Sequence, residues 1–156
     1  MGIFDKVFGP KDAAQGADPS LSTRFTMGPG NVPKRILVVE DDLLVAELLT
    51  ANLENLPYKV YVAYDGETGW AIAQKELPDL VIQDIGLPNM DGFVLCKLIK
   101  SRNTTRHARI IMLTGKNLIG EMEKAFQCGA DAYVNKPFVW ERMLAHIQKL
   151  MGPVPG

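Results

Sequence analysis

The sequence predicts an α/β fold: a doubly wound, five-stranded parallel sheet with helices on both faces. Three observations carry this. Short, largely apolar runs recur five times, most of them rich in β-branched residues and each too short to be a helix. Segments with helical spacing separate them, so strand and helix alternate from Lys34 to Met151. The central strands read as continuous apolar runs, which fits strands covered by helices on both sides.

The elements follow in order. Ile36–Val39 is the first strand, and Glu40, Asp41 and Asp42 follow it. Leu43–Leu56 has helical spacing, with Val45, Leu48, Leu49, Leu53 and Leu56 near one face and Asp42 as its N-cap. Lys59–Ala63 is a strand with Val60 and Val62 on one face. Asp65-Gly66 is a turn, and Glu67–Glu76 is a helix that must end before Pro78. Leu80–Ile82 is a buried strand running into Gln83 and Asp84, and Gly86–Asp91 is a loop containing Pro88. Gly92–Arg102 is a helix, Ile110–Leu113 a strand ending at Thr114, and Asn117–Cys128 a helix stopped by Gly129. Ala132–Asn135 is a short strand, and Val139–Met151 is the last helix.

Residues 1–33 differ. They hold five glycines and four prolines, and their three acidic and three basic charges cancel, which reads as a flexible N-terminal tail. Phe4, Val7 and Phe8 share a helical face there, as a frayed terminus or as a short docking helix. Residues 152–156 form a short C-terminal tail. The expected globular unit, 34–151, takes 118 of the 156 residues, so no output domain is expected beside it.

Composition narrows the function classes. Lys and Arg number 17 against 18 Asp and Glu, for a net charge of −1, which argues against a nucleic-acid binder. No apolar run approaches the roughly 18 residues of a membrane span, and the N-terminus lacks a signal-peptide pattern. A cytoplasmic protein without membrane insertion is expected. Cys96 and Cys128 match no metal spacing and read as free thiols of a reducing compartment.

In a parallel sheet of this kind, ligands bind beyond the carboxyl ends of the strands. Glu40 and Asp41, Asp84, Thr114 and Lys136 stand at four of those ends. Carboxylates packed together repel one another, and either a raised pKa or a bound cation relieves them. Oxygen donors of this kind suit Mg²⁺. A carboxylate beside such a cation can attack phosphorus and become an aspartyl phosphate, and an ammonium with hydrogen-bond donors would balance the phosphoryl charge.

Five motifs in order carry a family resemblance: Ile36-Leu-Val-Val-Glu-Asp-Asp42, Asp79-Leu-Val-Ile-Gln-Asp84, Leu87-Pro-Asn-Met-Asp-Gly92, Met112-Leu-Thr-Gly115 and Gly129-Ala-Asp-Ala-Tyr-Val-Asn-Lys-Pro-Phe138. The chain resembles the receiver domain of two-component response regulators, of the stand-alone type. The resemblance implies a flavodoxin-like (βα)5 fold with strand order 2-1-3-4-5. It implies phosphorylation on Asp84 and a Mg²⁺ or Mn²⁺ ion held by Asp41, Asp84 and the Gly86 carbonyl, with Glu40 acting through water. Thr114 resembles the switch hydroxyl, Gly115 offers its amide, Lys136 resembles the phosphoryl-pairing lysine and Tyr133 the switch aromatic. Lys136-Pro137 resembles the family's cis peptide. Trp140 stands near the usual signalling face and is a candidate interface anchor. Gly86 and Lys116 occupy the positions that tend to tune dephosphorylation. The chain would catalyse only its own phosphorylation and dephosphorylation, and so is not expected to be an enzyme in the ordinary sense.

The implied partners are a histidine kinase or histidine phosphotransfer protein as donor and a downstream protein target, with a homodimer through helix 4, strand 5 and helix 5 also open. The alternative is a phosphorylation-independent scaffold or localisation module on the same fold. An enzyme on a similar sheet fits poorly. Flavodoxins need a phosphate-cradling loop where this chain has Glu40-Asp41-Asp42, and haloacid-dehalogenase-type phosphatases need a second Asp where it has Gly86.

Overall fold

The computed structural model describes residues 32–115 and 119–155. Nearly all of the expected tail, the Phe4–Val7–Phe8 face, Lys116 and the helix start expected at Asn117 lie outside the described residues.

The described chain alternates strand and helix throughout: β1 (Lys34–Val39), α1 (Leu43–Glu54), β2 (Tyr58–Ala63), α2 (Gly66–Glu76), β3 (Leu80–Asp84), α3 (Gly92–Ser101), β4 (Arg109–Thr114), α4 (Ile119–Gln127), β5 (Ala132–Asn135) and α5 (Trp140–Met151). The strands form one sheet in the order β2-β1-β3-β4-β5, and every pairing is parallel. This is the doubly wound, flavodoxin-like arrangement expected from the sequence.

Successive residues of a strand face opposite sides, and the sheet uses both. Leu37 and Val39 of β1, with Val81 and Met112, pack against Ile72 of α2, Leu95 and Ile99 of α3 and Ala125 of α4. Ile36 and Val38, with Ile82 and Ile111, pack against Ala46, Leu49 and Leu53 of α1 and Met143 and Ile147 of α5. Fully burying such a side chain contributes about 1.5–3 kcal/mol, so the two apolar layers hold the sheet between them.

Local chemistry sets the helix ends. The Asp42 carboxylate accepts from the Leu44 and Val45 amides at 3.0 and 3.3 Å. Asp65 accepts from the Thr68 amide at 2.7 Å, and Asp91 from the Phe93 amide at 2.7 Å. Gly129, at φ 103, ends the α4 segment, where the Ala130 amide donates to Ala125 O. Two further aspartates lock strands at their amino ends. Asp79 accepts from the Arg35 amide at 2.9 Å, and Asp131 accepts from the Ile110 amide at 2.8 Å.

The expected face of the α1 segment holds at Leu49 and Leu53, which are buried, and at Val45 and Leu56, which pack against the same layer; Leu48 departs from it. The buried stripe of α1 is Ala46, Leu49, Thr50 and Leu53, while Leu48 is 47% exposed and Leu43 and Leu44 are also exposed. Six of its twelve residues are Leu or Val, so apolar spacing alone did not mark the edge of that face. The small Ala46 and Thr50 let the helix lie close to the sheet.

Candidate functional site

The carboxyl ends of β1, β3, β4 and β5 meet at one edge. The Glu40 amide donates to Ala63 O at 3.0 Å and extends the β1–β2 pairing by one residue. The Glu40 side chain is fully buried and accepts from the Asp42 amide at 3.1 Å. Asp41 is exposed. Asp84 ends β3 and is 8% exposed. Oxygens of Glu40, Asp41 and Asp84 all lie within 4.8 Å of one another.

Lys136 answers this charge from 96 residues beyond Glu40. Its Nζ stands 3.0 Å from Glu40 Oε2 and 3.4 Å from Asp84 Oδ1. Its amide donates to Thr114 O at 2.6 Å, tying the end of β5 to the end of β4. The Lys136–Pro137 peptide is cis. Thr114 ends β4 and is buried, and Gly115 beyond it is exposed with open space around it. Gly86 is exposed, and a Cβ there would lie 4.0 Å from Asp84 Oδ2.

Electrostatics follow from this packing. Burial pushes the Glu40 carboxyl above its ordinary range, and Asp84 adds to the rise; the Asp42 amide and Lys136 oppose it. Burial also pushes Asp84 up, with Asp41 adding, while Lys136 and the Ile85 amide pull down. Burial alone would lower the Lys136 ammonium, but the Glu40 and Asp84 carboxylates together outweigh it and hold Lys136 above its ordinary value. Among the described residues, three convergent carboxylates meet the Lys136 ammonium. The donors are hard oxygens, and Asp41 keeps one side open to water, which fits Mg²⁺ or Mn²⁺.

Two sequence candidates stand apart from this cluster. Tyr133, on β5, is half-buried against the α2–α3–α4 layer and lines a groove with Asn135, Phe138, Arg142 and His146. Trp140 opens α5 and packs half-buried against the α1–α5 layer.

Sequence reasoning missed Gln83. It is fully buried beside Asp84, and its Nε2 donates to Gly92 O at 2.6 Å. It ties β3 to the start of α3 and so spans the loop that follows Asp84. Its Oε1 has no partner among the described residues. The signal was an amide next to last in an otherwise apolar strand. The role of Gly92 was equally hidden: a Cβ there would come within 2.3 Å of Asp84 O.

A family model described as the response regulator receiver domain matches residues 36–148. The DNA-binding dual master transcriptional regulator RpaA of Synechocystis is 38% identical over 117 residues, covering 75% of this chain and 48% of that protein. The chain thus spans about half the length of this curated relative, and 26% of the response regulator PleD of Caulobacter vibrioides, at 35% identity over 116 residues covering 74% of this chain. Among solved structures, the receiver domain of the sensor histidine kinase PA1611 from Pseudomonas aeruginosa is 30% identical with a TM-score of 0.71, covering 78% of this chain and all of that one; it is described with a magnesium ion coordinated in its active site cleft. With this fold, this acidic cluster and these matches, the chain belongs to the response regulator receiver domain family.

Proposed function

We propose that the chain is a phosphoacceptor switch. A histidine kinase or histidine phosphotransfer protein donates a phosphoryl group to Asp84, and the phosphorylated form signals by protein–protein contact. The observation that carries this is Lys136 Nζ lying between Glu40 and Asp84, in a cluster whose three carboxylates converge within 4.8 Å. The receiver unit is taken as 34–151, with 1–33 and 152–156 as tails.

Asp84 is the nucleophile. One of its carboxylate oxygens bonds to phosphorus as the bond from phosphorus to the donor imidazole nitrogen breaks, and that nitrogen leaves with the electron pair. Asp41, Asp84 and the Gly86 carbonyl, with Glu40 acting through water, would hold a Mg²⁺ or Mn²⁺ ion, which would supply positive charge to offset the phosphoryl oxygens. Lys136 transfers its pairing from the Asp84 carboxylate to a phosphoryl oxygen. The Thr114 hydroxyl turns toward the phosphoryl group and donates to it, and the Gly115 amide serves as a further donor. Tyr133 moves inward as the Thr114 hydroxyl vacates its place, which biases a two-state surface on α4, β5 and α5.

The donor docks on an apolar rim. Leu43, Leu44 and Leu48 of α1 are exposed just past the Asp42 cap, and Val139, two residues beyond Pro137, is exposed as well. Both segments leave the same sheet edge, so a partner helix laid across them would cover the opening above Asp84. The downstream target, and a homodimer if one forms, use the α4–β5–α5 side, with Trp140 near its edge. No described helix is long and apolar enough to cross a membrane, and a cytoplasmic site of action fits a cytoplasmic kinase domain as donor.

Acetyl phosphate with Mg²⁺ tests the reading. The chain should gain the mass of one phosphoryl group, chelation of the metal should prevent the gain, and Asp84→Asn should abolish it. Mg²⁺-dependent uptake that persists in Asp84→Asn would refute the site. No uptake in the unaltered chain would leave a phosphorylation-independent scaffold as the better account.

A further inference from the structure

Cys96 and Cys128 are 32 residues apart in sequence, yet the fold brings them together: Cys96 Sγ donates to Cys128 O at 3.4 Å. Both side chains pack in the same apolar layer, and both thiols are free. Cys96 sits in α3 and is fully buried in the apolar layer. Cys128, just past α4, is half-buried and packs against that layer. Its Sγ donates to Ala125 O at 3.1 Å. It also lines a cavity of about 330 Å³ bounded by Phe93, Val94, Lys97, Lys124 and Gln127. One thiol is therefore reached from solvent, and the other stands behind it.

We propose that Cys96 and Cys128 form a dithiol modification site that hydrogen peroxide closes to a disulfide, joining α3 to the end of α4. The Cys128 sulfur attacks one peroxide oxygen and the O–O bond breaks. That oxygen stays on Cys128 as a sulfenic acid, and the other leaves as water with the thiol proton. The Cys96 sulfur then displaces the hydroxyl; the S–S bond forms and a second water leaves with the Cys96 proton. Two thiols are oxidised and one peroxide is reduced to two waters.

The order follows from burial. Desolvation, reinforced by Cys128, holds the Cys96 thiol above its ordinary range and therefore protonated, so Cys96 acts as the resolving partner. A disulfide carries no charge, so the apolar layer does not oppose the product. The bond would fix the chain one residue before Gly129, whose φ of 103 marks the end of the α4 segment. It would hold that end against α3, away from the Asp84 cluster.

The test needs no phosphoryl chemistry. The reduced full chain is treated with hydrogen peroxide, quenched, denatured and alkylated. The expected result is a mass lower by two hydrogens, loss of both alkylatable thiols, one cross-linked peptide pair containing Cys96 and Cys128, and full reversal by dithiothreitol. Cys96→Ser should instead add oxygen at Cys128, and Cys128→Ser should leave Cys96 reduced at the same dose. Peptide mapping of the unaltered chain stands even if the Cys96 variant folds poorly. Two thiols that remain alkylatable at a dose that oxidises free glutathione would overturn the proposal. So would oxygen addition at Cys128 with Cys96 still free, or cross-links found only between chains.

Discussion

Gly92→Ala sets two opposing effects against each other. Alanine in place of glycine normally favours a helix by up to about 1 kcal/mol, and Gly92 is the first residue of α3. Its added Cβ, however, would stand 2.3 Å from Asp84 O, 2.8 Å from Ile85 Cα and 3.0 Å from Ile85 O. All three are backbone atoms, so no flexible side-chain end can swing aside. Overpacking of this kind costs about 1–3 kcal/mol. Parting the two segments would also threaten the bond from the Gly92 amide to Ile85 O at 2.9 Å, worth about 1 kcal/mol. At the first helical position the propensity gain is small, so the clash wins, with a net loss of about 2 kcal/mol. Gly120→Ala is the control: Gly120 is the second residue of α4, and nothing stands within 4 Å of its added Cβ, so no steric loss and a small gain of up to about 0.5 kcal/mol are expected. Urea unfolding at an unchanged m of about 1–3 kcal/mol/M would show the Gly92 midpoint lowered by about 1 M, and the Gly120 midpoint unchanged or slightly raised. Phosphorylation of Gly92→Ala should also slow, because the displaced carbonyl belongs to Asp84. A Gly92→Ala chain as stable as its parent would refute the steric argument.

Three further outcomes are expected. Leu49→Ala should cost about 3–5 kcal/mol, because the side chain is fully buried; Leu44→Ala, at 81% exposure, should shift stability by no more than about 0.5 kcal/mol while weakening uptake from a protein donor more than from acetyl phosphate. Asp131→Ala should cost about 1.5–3 kcal/mol in urea unfolding, since it removes the acceptor of the Ile110 amide and the partner of Lys100 at 3.3 Å. Glu40 and Asp84 are both raised in the fold, so they take protons more readily folded than unfolded. Without metal, their contribution therefore becomes more favourable as pH falls from their raised values into the ordinary carboxylate range. Lys136 is also raised, and its contribution is lost only as pH climbs through its folded value. Mg²⁺ needs the carboxylates ionised, so the rise in Tm on adding Mg²⁺ should shrink as pH falls through the same window. A Mg²⁺ effect that is flat with pH would count against Asp84 as its ligand and Glu40 as its water-mediated partner.

The sequence by itself determined the elements and their alternation. β-branched runs, aspartate caps such as Asp42 and the Gly129 stop act within a few residues, so their signals are local and readable. Parallel pairing also follows, since helices between strands force crossovers, and with it the placing of Glu40, Asp41, Asp84, Thr114 and Lys136 at strand ends. Only the tertiary structure decided the edge of the α1 face, turning Leu48 outward, because apolar spacing does not register the small Ala46 and Thr50 that pack against the sheet. It alone showed Gln83 bonding to Gly92 O across the Asp84 loop, and the backbone that leaves Gly92 no room for a side chain. Cys96 and Cys128 read as two unrelated thiols along the chain. Their meeting depends on how α3 and α4 pack across 32 residues, and no local pattern encodes a contact made through the core.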